Sequence, residues 1–122
     1  MSKSPIKNKV STVFIPVKDI GKAKQWYTKM LDVQNGEEMF DHLFIAEMDG
    51  TGMVLDKMPM WKNEQGEVQP LNVPAIQFAT EDIHASYQFM KTNDVELVTE
   101  VEHDKYFVFK DPDGNLLMVC QE

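Results

Sequence analysis

At 122 residues the chain is long enough for one domain with a sizeable core and too short for two large ones. Hydrophobic residues make up 43% and charged residues 26%, a globular balance that excludes disordered and fibrous classes. Twenty acidic against twelve basic side chains give a net charge of -8, which works against phosphate backbones and anionic bilayers, so neither nucleic acid nor membrane is an expected partner. No apolar run approaches the roughly 20 residues that span a bilayer, and the first ten residues lack the apolar centre of a secretory signal. The single Cys120 has no internal partner, which suits a reducing compartment, so the expected location is the cytoplasm.

Residues 1–9 read as a flexible, basic lead-in, and 10–122 as one domain. The first element is a strand through Val13-Phe14-Ile15-Pro16-Val17, ending at Asp19, whose carboxylate can cap a helix. That helix presents Ile20, Ala23, Tyr27, Met30 and Leu31 at spacings of three and four, which is a core-facing stripe. Further strands flank Asp49-Gly50, a turn dipeptide. The same order then returns. Ile76-Gln77-Phe78-Ala79-Thr80-Glu81-Asp82-Ile83 repeats the strand and cap 63 positions on, and Asp113-Gly114 repeats the turn 64 positions on. The second helix buries Ile83, Tyr87 and Met90. The chain is therefore two βαβββ modules, about 10–58 and about 74–122, joined by a loop over 57–73 that shows no period. The predicted fold class is α+β, with two curved mixed sheets paired into a cup. Trp61 in the connecting loop reads either as a lid over a pocket or as a patch packed on the core or a partner chain.

Three phrases carry a family resemblance: Ile15-Pro16-Val17-Lys18-Asp19, Trp26-Tyr27-Thr28-Lys29-Met30-Leu31, and Phe109-Lys110-Asp111-Pro112-Asp113-Gly114-Asn115. With the repeat, they resemble the glyoxalase, bleomycin-resistance and extradiol-dioxygenase (vicinal oxygen chelate) superfamily over nearly all of the chain. The resemblance implies the paired-module cup and, in metal-using members, His, Glu or Gln ligands on matching strands. At those positions this chain carries Thr12, Val54, Ala75 and Met118. Only Thr12 offers an oxygen, and a neutral one, so neither a metal nor another cofactor is expected. A different gap near Val54 would bring Asp56 into the set, but one carboxylate does not make the site.

Strand alternation adds Phe14, Pro16, Asp56, Gln77, Ala79, Leu116 and Cys120 to the cup wall, with Tyr106, Val108, His42 and Phe44 joining if the neighbouring strands keep phase. The wall is mostly apolar with a few polar groups, as a pocket for a partly hydrophobic molecule requires. The expected ligand-binding residues are Thr12, Phe14, Val54, Trp61, Ala75, Gln77, Tyr106 and Met118. His42, Asp56 and Tyr106 are the candidate catalytic groups, His42 and Asp56 as an acid–base pair against a plain reading of His42 as solvated. His84 and His103, each beside carboxylates, read as exposed. Cys120 has no neighbouring base to stabilise a thiolate and reads as core. No phosphate loop, nucleophile elbow or zinc-binding helix motif is present.

Three functions fit. The first is a metal-free protein sequestering a small organic molecule, as in resistance-type members of the family. The second is an enzyme of lyase or dioxygenase type, metal-dependent or using His42, Asp56 or Tyr106. The third is a regulatory or interaction module with a filled pocket. A homodimer is expected, because two small curved sheets leave edges that proteins cover or pair, and similar family members complete their cups across two chains.

Overall fold

The computed structural model describes residues 4–122; the first three residues of the expected lead-in lie outside the described residues. The elements run β1 (Thr12–Pro16), α1 (Ile20–Leu31), β2 (Gly36–Met39), β3 (Leu43–Ala46), β4 (Gly52–Asp56), β5 (Gln77–Thr80), α2 (Ile83–Thr92), β6 (Glu96–Leu97), β7 (Tyr106–Lys110) and β8 (Leu116–Gln121). They form two separate four-stranded sheets of identical topology, ordered β1-β4-β3-β2 and β5-β8-β7-β6. In each, the first and last strands pair in parallel and the rest antiparallel. Among the described residues no helix is long and apolar enough to cross a membrane.

Both helices start where their Asp residues stand. Asp19 accepts the Lys22 N–H at 2.9 Å and Asp82 the Ala85 N–H at 3.0 Å, each satisfying a donor that the first turn leaves unpaired. Gly50 and Gly114, with φ of +87° and +86°, make the two repeated turns in a conformation that side chains resist. The helices cover one face of each sheet. Ile15, Val17, Leu55 and Phe44 from the first module, and Phe107, Phe109 and Leu117 from the second, join a single buried cluster with Ile20, Tyr27 and Ile83. Each such side chain stabilises the fold by about 1.5–3 kcal/mol through removal of apolar area from water. The modules thus share a core on their helical sides, where Trp26 of α1 stacks on Phe109 of β7 with ring centres 6.3 Å apart. Their other faces point outward.

A buried polar network locks this arrangement. Asn115 is fully buried and uses its whole amide: Nδ2 donates to the Pro16 carbonyl at 2.7 Å and to Asp111 Oδ2 at 2.8 Å, and Oδ1 accepts the Leu71 N–H at 2.7 Å. Asp111, equally sequestered, also accepts from Tyr27 Oη and from the N–H groups of Asp113 and Asn115. One turn therefore grips β1, α1 and the connecting segment together. Every buried side-chain nitrogen and oxygen among the described residues has a partner.

The connecting segment is more ordered than its lack of periodicity suggests. Lys62 bridges Val68, and the Asn63 side chain accepts N–H groups from Gln65 at 3.0 Å and Glu67 at 2.9 Å, making a miniature hairpin around Gly66 at φ +76°. Such side-chain turns leave no apolar period to read.

Removing one member of the network strands the others without water. Asn115→Ala is expected to cost about 3–5 kcal/mol in urea unfolding, and Tyr27→Phe about 1–2 kcal/mol, since only one donor to Asp111 is lost.

Candidate functional site

Because alternate strand residues face opposite ways, the buried set of each sheet determines which residues look outward. In the first sheet Ile15 and Leu55 point to the helix, so Phe14 lies outward, opposite Val54, which in turn lies opposite Ile45. Thr12 and Gly52 form the pair at one end, Pro16, Asp56 and Leu43 the row at the other. In the second sheet the row Gln77, Met118, Val108 stands beside the row Ala79, Cys120, Tyr106. Phe14 is 48% exposed and Ile45 37%, so this apolar surface meets solvent in the single chain.

The register settles how the modules correspond. Val54 is opposite Phe14 as Met118 is opposite Gln77, 63 positions on from Phe14. Val54 therefore matches Met118, while Asp56, opposite Pro16, matches Cys120, opposite Ala79. The alternative alignment that would move Asp56 into the ligand position is thereby removed. The donor set does not fit a divalent metal: a Thr hydroxyl, a Val, an Ala and a Met thioether supply no charged oxygen and no imidazole. Among the described residues no three His, Cys, Asp or Glu side chains converge.

The candidate residues divide between two faces. Thr12, Phe14 and Val54 share the first sheet, and Gln77, Tyr106 and Met118 the second, with Ala75 exposed just before β5. Trp61, 74% exposed, stands in solvent. A cleft of about 450 Å³ does run between the modules, but it lies along the β5 edge against the β3–β4 turn, bordered by Val13, Met48, Met53 and Phe78, and takes in only Ala75 and Gln77 of the candidates.

Three expectations are corrected. The phase that would turn His42 and Phe44 outward is wrong: Phe40 and Asp41 form the β2–β3 turn with φ of 53° and 59°, the strand begins at Leu43, and Phe44 is buried on the helical side. His42 and Asp56 do not form an acid–base pair. The His42 ring bonds the Phe40 carbonyl through Nδ1 at 2.7 Å, and the Asp56 carboxylate accepts the Met58 N–H at 2.8 Å. Cys120 is half-buried on the outer face rather than in the core. His84 is exposed, as expected, against Asp104 at 3.0 Å.

Two βαβββ modules of one strand order, each with one sheet face covered by its helix, define a paired-module α+β fold. The chain belongs to the Glyoxalase/Bleomycin resistance protein/Dioxygenase superfamily, whose family model matches residues 9–119. It is 31% identical over 120 residues to YetH of Bacillus subtilis, itself uncharacterised, covering 90% of this chain and 95% of that one. A superfamily member from Sphaerobacter thermophilus superposes with a TM-score of 0.74 at 24% identity, covering 93% of this chain and 96% of the other. TnmS3, an antibiotic binding protein from Streptomyces sp. CB03234, superposes at 0.72 with 22% identity over 98% of both chains. At these identities the two structures share the fold alone.

The two groups with displaced titration are Asp113, within the Asp111–Asn115 turn that the sequence marked only as a family phrase, and Tyr27 of α1, which bonds that turn at Asp111. Burial drives the Tyr27 hydroxyl far above its ordinary range, with the Asp111 charge and hydrogen bond adding to it, so Tyr27 is a fixed donor and not a base. Burial likewise raises Asp113, with the Asp111 and Asp19 charges adding, while the Lys18 N–H at 3.0 Å and the Lys18 charge pull it back. A carboxyl with a raised folded pKa binds its proton more tightly when folded, so its contribution is present below the unfolded pKa and is lost as pH rises through the folded one. Asp113→Asn keeps the oxygen facing Lys18 and removes that loss. Its stability relative to the parent is expected to grow as pH rises above the ordinary carboxylate range in chemical unfolding; a constant difference would show that Asp113 carries no such linkage.

Proposed function

We propose that the chain is a metal-free binding protein that sequesters a small, partly hydrophobic organic molecule against its outward sheet faces. The observation that carries this reading is the replacement of every inherited ligand by a neutral side chain, Thr12, Val54, Ala75 and Met118, on a surface where Phe14, Gln77 and Tyr106 supply ring area and hydrogen bonds. Apolar area gives affinity and a few polar groups give orientation. The fold shared with an antibiotic binding protein supports the same direction. The residues proposed to touch the ligand are Thr12, Phe14, Val54, Trp61, Ala75, Gln77, Tyr106 and Met118, with residues 10–122 acting as one unit in the cytoplasm, where the lone Cys120 stays reduced.

Two copies are proposed to form the working unit. Half-exposed Phe14 and Ile45, together with the free edges of β1 and β5, make each face incomplete alone. Burying such apolar surface against a second chain would turn two open faces into closed cups.

Three outcomes test the reading. Protein purified without chelators should carry no stoichiometric zinc, nickel, iron or manganese by elemental analysis; a bound metal lost on substitution at Thr12, Ala75 or Met118 would overturn it. In a thermal-shift screen, ligands should raise the melting temperature of the parent and fail with Ala75→Trp and Trp61→Ala; stabilisation that survives both substitutions places the ligand elsewhere. Sedimentation should give a dimer at about tens of micromolar, and a monomer there would rule out the paired cups.

A further inference from the structure

All the fixed positive charge of this acidic chain comes from lysine, since the sequence holds no arginine. Three of the lysines, Lys18, Lys57 and Lys62, line one concavity of about 310 Å³ together with Gly66, Glu67 and Val68. Their convergence is built by the fold. β1 and β4 run parallel with Pro16 opposite Asp56, so Lys18 and Lys57 leave the same end of the sheet on adjacent chains. Lys62 arrives from the miniature hairpin, where the Asn63 side chain and the Gly66 turn set it across from Val68.

The local charge opposes the global one. Against a net charge of -8 the concavity is lined by three lysines and one acidic residue, Glu67, with Asp113 beside Lys18. Among the described residues, ion pairs form at Lys24, His84 and Lys110, and none of the three lysines belongs to one. Asp113 accepts the Lys18 backbone N–H at 3.0 Å and its carboxylate interacts with the Lys18 charge, but the two side chains form no direct ion pair. Lysine stems and Val68 give apolar walls beneath charged tips. An ammonium group is a compact point charge, suited to either a carboxylate or a phosphate oxygen without the fixed fork of arginine.

We propose that this concavity binds an organic anion: a carboxylate or phosphate group carried on a small apolar body. The assignment stands apart from the outward-face reading, because it uses strand ends and the connecting hairpin, and neither Trp61 nor any residue proposed above to touch the ligand.

The test is an amide NMR titration of the full chain with benzoate, with inorganic phosphate and with neutral benzamide. Benzoate or phosphate is expected to shift the Lys18, Lys57, Lys62 and Val68 amides saturably, and benzamide to leave them in place. Saturation by benzoate alone identifies a carboxylate on an apolar body, by phosphate alone a phosphoryl group; each supports the site. A Lys57→Gln, Lys62→Gln variant should keep the parent's melting temperature, since both side chains are exposed, and bind at least about tenfold more weakly. If that variant loses stability, Lys62→Gln alone is read, with a smaller loss of affinity expected. The proposal fails if neither anion shifts these amides up to about 10 mM, if benzamide binds as well as benzoate, or if the substitutions leave affinity unchanged.

Discussion

The arrangement of the molecule depends on the side chain of Asn115. A buried primary amide has two donors and one acceptor to satisfy, and here each finds a partner in a different part of the chain: the Pro16 carbonyl, the Asp111 carboxylate and the Leu71 N–H. Because an unpaired amide in that place costs about 1–3 kcal/mol per group, the turn accepts one relative placement of the modules and penalises the others. Tyr27 extends the lock into α1, and Asp113 extends it to Lys18 between β1 and α1. Apolar packing alone would tolerate sliding between the two halves; a saturated polar network does not.

Once the helical sides are held together, the remaining surfaces follow. Each sheet has one face spent on the shared core, so the other face is free to take a ligand or a partner. This is why the candidate residues sit in two groups: Thr12, Phe14 and Val54 cannot meet Gln77, Tyr106 and Met118 while the modules pack back to back. The exposure of Phe14 and Ile45 expresses the same constraint.

The connecting segment shows how polar turn chemistry can order residues without a hydrophobic period. Asn63 accepts two backbone N–H groups across a glycine turn, a role that asparagine and glycine fill wherever chains reverse tightly. Its effect reaches beyond the loop, since it brings a lysine toward the parallel ends of β1 and β4.

The repeated Asp-Ile and Asp-Gly punctuation, the helix stripes and the alternating strands were sufficient to read two βαβββ modules from the sequence, because caps, turns and periodicity are local, while the family came from the resemblance of three short phrases. The same locality explains why Thr12 could be matched to Ala75 and Val54 to Met118 between the modules, since the repeat shifts by only 63 or 64 positions along its length. What only the tertiary structure decided is non-local. Leu43-Phe44-Ile45-Ala46 is apolar throughout, so alternation could not say which residues look outward until pairing with β4 turned Phe44 inward and Ile45 outward. The phrase Asp111-Pro112-Asp113-Gly114-Asn115 could be recognised, but its partners Pro16, Tyr27 and Leu71 lie 40 or more positions away, and no local pattern encodes them. That the His42 and Asp56 side chains each bond a backbone group two residues away rather than one another was equally hidden.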